Sequence, residues 1–107
     1  MRPLLLLTQE QIEGRLNQLD PSWRQEDKRI VRDFNLPTFM DGIQFVNQVA
    51  VIAEELNHHP DFSISYKDIK LSVTTHYKGG LTLRDFRLAG RIDALWNETY
   101  GGSAASG

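Results

Sequence analysis

The stretch 61-DFSISYKDIKLSVTTH-76 reads as two strands folded back on one another. Phe62, Ile64 and Tyr66 alternate with Asp61, Ser63 and Ser65, while Ile69, Leu71, Val73 and Thr75 alternate with Lys70, Ser72, Thr74 and His76. A period of two with one apolar face is what an antiparallel sheet covered on one side requires. With Lys67-Asp68 as a two-residue loop, Tyr66 faces Ile69, Ile64 faces Leu71 and Phe62 faces Val73. Apolar residues then meet apolar residues, and a slip of one position would mix the two faces. Carried outward, this register sets Pro60 opposite Thr75 and His59 opposite His76, with directly opposed side chains ~5 Å apart at Cβ.

Helices must supply the cover. Thr8-x-x-Gln11 is a capping box and Leu7 with Ile12 stands at staple spacing, so a first helix should start at Thr8 and stop near Asp20-Pro21. Residues 22–36 read as two short strands turning near Glu26, Asp27 and Lys28. Ile30, Phe34 and Leu36 share a face there, although Val31 and Arg32 interrupt the alternation. Thr38 caps a second helix that runs towards His58. Its apolar residues, among them Phe39, Met40, Phe45, Val49, Val51 and Ile52, do not form one stripe. A helix apolar over most of its circumference needs cover on more than one side, which points to the sheet and to another subunit. A third helix starts at Thr82, with a Leu81–Phe86 staple and Leu88, Ala89, Ile92, Leu95 and Trp96 as its apolar face. The outcome is an α+β domain in the order α-ββ-α-ββ-α: a four-stranded antiparallel sheet with three helices packed on one face.

Bulk properties narrow the function classes. A chain of 107 residues is read as one domain over 1–100, followed by a flexible tail, 101-GGSAASG-107. A net charge of −2, with no basic block, argues against direct nucleic-acid binding. Cysteine is absent, which removes disulfide and thiolate chemistry. The four leucines of 1-MRPLLLL-7 fall short of the ~7 apolar residues of a signal core, so the segment is expected to pack on the domain. No apolar run is long enough to span a membrane.

The chain has three histidines: His58 and His59 in 54-EELNHHPDF-62, and His76 in 74-TTHYKGGLTLRD-85. If the second helix persists, Glu54 and His58 stand at i and i+4 on one face, where a carboxylate can fix an imidazole tautomer. Pro60 pushes His59 out of the helical region. The three imidazoles are therefore expected to converge where the second helix ends and the second hairpin opens. Two readings fit: a helix-end cation with a cross-strand histidine pair, or proton-transfer groups of an active site. No H-x-H or H-x-x-x-H spacing supports a zinc site. Asp85 has a purely structural reading as the capping-box partner of Thr82, and 79-GG-80 reads as a turn.

Taken together, E-x-x-N-H-H-P at Glu54 to Pro60, T-H at Thr75-His76 and G-L-T-x-x-D at Gly80 to Asp85 resemble the pterin-4a-carbinolamine dehydratase family, also known as the dimerisation cofactor of hepatocyte nuclear factor. The likeness extends over most of residues 8–98. It implies dehydration of 4a-hydroxytetrahydrobiopterin to quinonoid dihydrobiopterin, which recycles the pterin of aromatic amino acid hydroxylases. It also implies no metal, no bound cofactor, a cytoplasmic location, and a dimer of dimers built through helix 38–58. By the same resemblance His58, His59, His76, Glu54 and Asp85 are the catalytic set, with Asn57, Thr74, Thr75 and Tyr77 joining the histidines in contacting the pterin. His58 and His76 are expected to be the acid–base pair, His59 to position the pterin, and Glu54 and Asp85 to orient rings or bond to the substrate. Phe62 departs from the tryptophan that many members carry. Two other functions share the fold: a protein-assembly or dimerisation cofactor with a protein partner, and a pterin binder without turnover.

Overall fold

Two hairpins meet through their inner strands. The computed structural model describes residues 3–101, so the expected tail lies, apart from Gly101, outside the described residues. In chain order the elements are α1 (Gln9–Leu16), β1 (Arg24–Glu26), β2 (Arg29–Asn35), α2 (Phe39–Leu56), β3 (Asp61–Ser65), β4 (Asp68–Val73) and α3 (Leu83–Trp96). A short 3-10 turn over His76–Lys78 and a π-helical turn over Asn97–Gly101 complete them. All strand pairings are antiparallel, in the order β1-β2-β4-β3, and the fold is α+β as the sequence pattern requires. Among the described residues no helix is long and apolar enough to cross a membrane.

The helix starts follow their local signals. Thr8 and Thr82 each close a capping box, with Gln11 and Asp85, and the Thr38 hydroxyl accepts from the Asp41 N–H. The ends are less legible. Helix α1 stops at Leu16, short of the Asp20-Pro21 boundary that proline alone suggested. Helix α2 stops at Leu56 rather than continuing to His58, because Asn57 takes a left-handed conformation with φ 49°. The Asn57 N–H then reaches the Glu54 carbonyl and the His58 N–H the Ala53 carbonyl at 3.0 Å, a Schellman closure of the helix.

The second hairpin keeps its faces but not its expected register. Ser65 pairs with Asp68, Ile64 with Ile69 and Phe62 with Leu71, so the loop is Tyr66-Lys67 and Tyr66 adopts φ 53°. The displacement is two positions along β4, which returns every side chain to its own face, so alternation cannot distinguish the two registers. The ladder closes at Asp61 opposite Ser72, and His59 is not paired with His76. Instead the chain leaves β4, Thr75 bridges Gly80, and His76 enters the 3-10 turn.

The core lies between this sheet and the helices, with Ile69, Leu71 and Val73 of β4 facing Phe45, Val49, Leu88 and Ile92 of α2 and α3 in one buried cluster. Gly42 lets α2 approach closely, since a Cβ there would already touch Ile69 Cδ1 at 3.5 Å. Arg32 stands on the buried face of β2 opposite Leu71, which explains the interrupted alternation of that strand. It is compensated by Asp93 of α3 at 2.6 Å, and the Trp23 indole N–H donates to the same carboxylate oxygen at 2.7 Å. Truncating one partner of such a pair strands the other charge in the core.

Asp93→Ala should therefore lower the unfolding free energy by about 3–5 kcal/mol. The double change Arg32→Met with Asp93→Leu should recover much of that loss. Urea titrations of the three proteins check it, and a loss below about 1 kcal/mol for Asp93→Ala would mean water reaches Arg32.

Candidate active site

The turn that ends α2 sorts the two adjacent histidines. With Asn57 left-handed, His58 swings inward and His59 outward. His58 is only 7% exposed, and its Nε2 lies 2.6 Å from Oδ1 of Asp85. His59 is exposed and places Nε2 2.5 Å from Oε2 of Glu54. The expected i, i+4 partnership of Glu54 with His58 is thus replaced: Glu54 holds His59, and Asp85 holds His58.

Asp85 is fully buried at the start of α3. Its Oδ2 accepts from the Thr82 N–H at 2.9 Å and from the Thr75 hydroxyl at 2.8 Å. The Thr82 hydroxyl stands 2.9 Å from Thr75 Oγ1 and, with the Thr75 proton given to Asp85, is the donor of that pair. A carboxylate surrounded by donors accepts only, so the His58 Nε2 carries a proton and Nδ1 is left as its second working nitrogen. The arrangement matches the orienting carboxylate of a general acid–base histidine. Asp85 is therefore both helix cap and histidine partner, a double duty that its sequence position disclosed only in part.

The three histidines line one cleft of about 310 Å³. Asn57, Thr74, Tyr77 and Arg84 complete its walls. His76 is largely exposed and sits 3.9 Å from Asp61, itself bonded to Arg29. Thr74 donates its hydroxyl to the Lys28 carbonyl at 2.7 Å, which ties the cleft floor to the turn between β1 and β2. Thr75 lies behind the cleft, 1% exposed, and reaches it only through Asp85. Among the described residues, no three His, Cys, Asp or Glu side chains are grouped to hold a metal ion.

Arg84 is the cleft residue that sequence reasoning missed. Its guanidinium donates to the Asn57 carbonyl, to the Leu56 carbonyl at 3.4 Å and to the Tyr77 hydroxyl at 3.1 Å. A cation at the end of α2 meets the negative end of the helix dipole. Because the partners are backbone carbonyls far away in the chain, no motif advertised it.

Fold and cleft define a small α+β protein with a carboxylate-oriented histidine site fit for moving protons on a small planar substrate. Residues 5–95 match the family model described as Pterin 4 alpha carbinolamine dehydratase, and the chain belongs to that family. A Picosynechococcus protein, provisionally named a pterin-4-alpha-carbinolamine dehydratase, is 44% identical over 83% of this chain and 96% of its own length. The crystal structure of a Brucella melitensis protein described as a transcriptional coactivator/pterin dehydratase superposes with a TM-score of 0.80. It is 30% identical and covers 85% of this chain and 98% of its own. A pterin dehydratase-like protein described as a RuBisCO assembly factor in the alpha-carboxysome has the same fold. Its TM-score is 0.58 at 22% identity, over 69% of this chain and 88% of its own.

Asn57→Gly should leave stability within a few tenths of a kcal/mol, because glycine adopts φ 49° freely. Asn57→Ala should cost about 1–2 kcal/mol, the ordinary penalty for a left-handed residue with a Cβ. Paired chemical-denaturation curves check both; equal stability for the two variants would mean that the helix end re-forms elsewhere.

Proposed function

We propose that the protein dehydrates 4a-hydroxytetrahydrobiopterin to quinonoid dihydrobiopterin and water, recycling the pterin of aromatic amino acid hydroxylases. The observation that carries this reading is the buried His58–Asp85 pair opening onto the cleft that His59 and His76 share. Loss of the 4a hydroxyl needs a proton delivered to the leaving oxygen and another removed from a ring nitrogen. Two histidines on either side of a planar ring can do both near neutral pH. His58, steadied by Asp85, and His76, open to solvent, are the acid–base pair in this scheme. His59, held by Glu54, positions the pterin beside Asn57, Thr74 and Tyr77, while Thr75 acts through Asp85. The scheme calls on no metal or bound cofactor, and we place it in the cytoplasm with its soluble substrate.

The same reading includes a dimer of dimers through helix 38–58. What supports it is the apolar surface that α2 leaves uncovered, with Met40 61% and Val51 60% exposed after the sheet has taken Phe45, Val49 and Ile52. That surface equally favours a second role, as an assembly or dimerisation cofactor for a protein partner. Light scattering separates a homotetramer from smaller species, and Val51→Glu should lower the measured mass if α2 is the seam.

Stopped-flow decay of freshly generated 4a-hydroxytetrahydropterin is the direct test of the chemistry. The wild-type protein should accelerate it, and His76→Ala should slow the catalysed decay by ~100-fold or more, the lower range of acid–base contributions. The profile of kcat/KM against pH should be bell-shaped, since both an acid and a base are needed. Well-folded wild-type protein that leaves the spontaneous rate unchanged would transfer the weight to the binding role. Loss of turnover in His59→Ala with unchanged pterin affinity would overturn the assigned division of labour.

A further inference from the structure

Beside the histidine cleft lies a second hollow of about 300 Å³ that shares Thr74 and His76 with it. Its far wall is the turn between β1 and β2, with Glu26, Asp27, Lys28 and Arg29. None of these four residues has a part in the chemistry described above. Resting on the dehydratase reading, we propose that this hollow is the subsite for the substituent on pterin C6, and that it selects an uncharged hydroxylated chain over a methyl or an anionic group.

Position comes first. C6 is separated from the reacting carbon C4a by a single ring nitrogen, so its substituent begins next to the reacting centre. With that centre held between His58 and His76, the adjoining hollow starts on the His76 side. Tyr77 and Arg84, bonded to each other at 3.1 Å, form another part of the cleft wall.

The turn is also held in place. The Thr74 hydroxyl donates to the Lys28 carbonyl at 2.7 Å, and the Gln25 side chain donates to the Asp27 carbonyl at 2.9 Å. Arg29 is bonded to Asp61 at 2.8 Å and to Ser72 at 2.6 Å. Asp27 itself adopts φ 57°, the left-handed geometry of a tight turn. A wall fixed in this way needs little reordering when a ligand arrives, which favours binding.

Charge decides the chemical class. The four residues contribute two carboxylates and two cations, so the turn has no net charge. Glu26 is engaged with Arg24 at 2.7 Å and Arg29 with Asp61, whereas the Asp27 and Lys28 side chains have no ion-pair or hydrogen-bond partner among the described residues. A hydroxyl both donates and accepts, and so matches an ammonium donor beside a carboxylate acceptor. A phosphate would gain Lys28 but meet Asp27 and Glu26, a like-charge contact that counts against it. A methyl group would use neither partner.

The test separates binding from turnover. Fluorescence titration would give Kd for three stable pterins bearing at C6 a methyl group, a 1,2-dihydroxypropyl group, or a phosphorylated trihydroxypropyl group. In parallel, kcat/KM would be measured for the 4a-carbinolamines of the methyl and dihydroxypropyl tetrahydropterins. The dihydroxypropyl compound should bind about 10-fold tighter than either of the others, as one or two hydrogen bonds allow. Lys28→Ala and Asp27→Gly, the latter compatible with the positive φ, should each erase most of that preference while leaving the methyl compound unchanged. Equal Kd values for methyl and dihydroxypropyl pterins, tighter binding of the phosphorylated one, or a variant that weakens all three alike would overturn the subsite. A retained Kd preference without turnover of either carbinolamine would overturn the dehydratase reading and leave the subsite standing. Turnover without any Kd preference would do the reverse.

Discussion

One buried carboxylate holds the working end of this molecule together. Asp85 takes donors from the N-terminus of α3, from the end of β4 through Thr75, and from the loop after α2 through His58. Three segments distant in the chain are thereby fixed to one side chain that water does not reach. A group with this many donors around it resists removal, because each donor would be left unpaired in the interior. The same bonds determine which way His58 turns and which of its nitrogens is free. Structural need and chemical use coincide in a single residue.

The opposite region of the core solves a similar problem differently. Arg32 is buried on β2 and lies 4.4 Å from the centre of the Phe34 ring, with Asp93 as its counter-charge. Its Nε makes no hydrogen bond in the structure, so the pair is compensated in charge but not fully in hydrogen bonding. Such a pair contributes less to net stability than its short distance suggests, although breaking it is costly. It docks the centre of α3 on the sheet while Asp85 docks its start. Between these two anchors α3 is held at a fixed angle, and the cleft walls follow from that angle.

Apolar surface is distributed unevenly around this frame. All of β3 is exposed, including Phe62 and Ile64, even though both lie on the face that β4 buries. The sheet is wider than the helices that cover it, so its outer strand lacks the cover that β2 and β4 enjoy. Helix α2 has a similar excess at Phe39, Met40 and Val51. Exposed apolar patches and an unpaired strand edge are characteristic of surfaces that meet other surfaces.

Much was legible in the linear chain because the signals were local. Capping boxes at Thr8 and Thr82, the cap at Thr38 and the alternation of β3 and β4 each rest on residues within a few positions of one another. They were enough for element order, fold class and the convergence of three histidines on one region. The hairpin register was not legible, since a displacement of two positions preserves every face and only the turn at Tyr66-Lys67 distinguishes the alternatives. Nor were the partners of the histidines. The sequence spacing favoured Glu54 with His58, but one left-handed residue at Asn57 redirected both imidazoles and exchanged their carboxylates. Arg84 stayed hidden because it recognises backbone carbonyls, which carry no sequence identity. Short-range backbone preferences thus determined the elements; the pairing of side chains across the cleft was decided by tertiary packing, where burial selects the partner that leaves no donor unmatched.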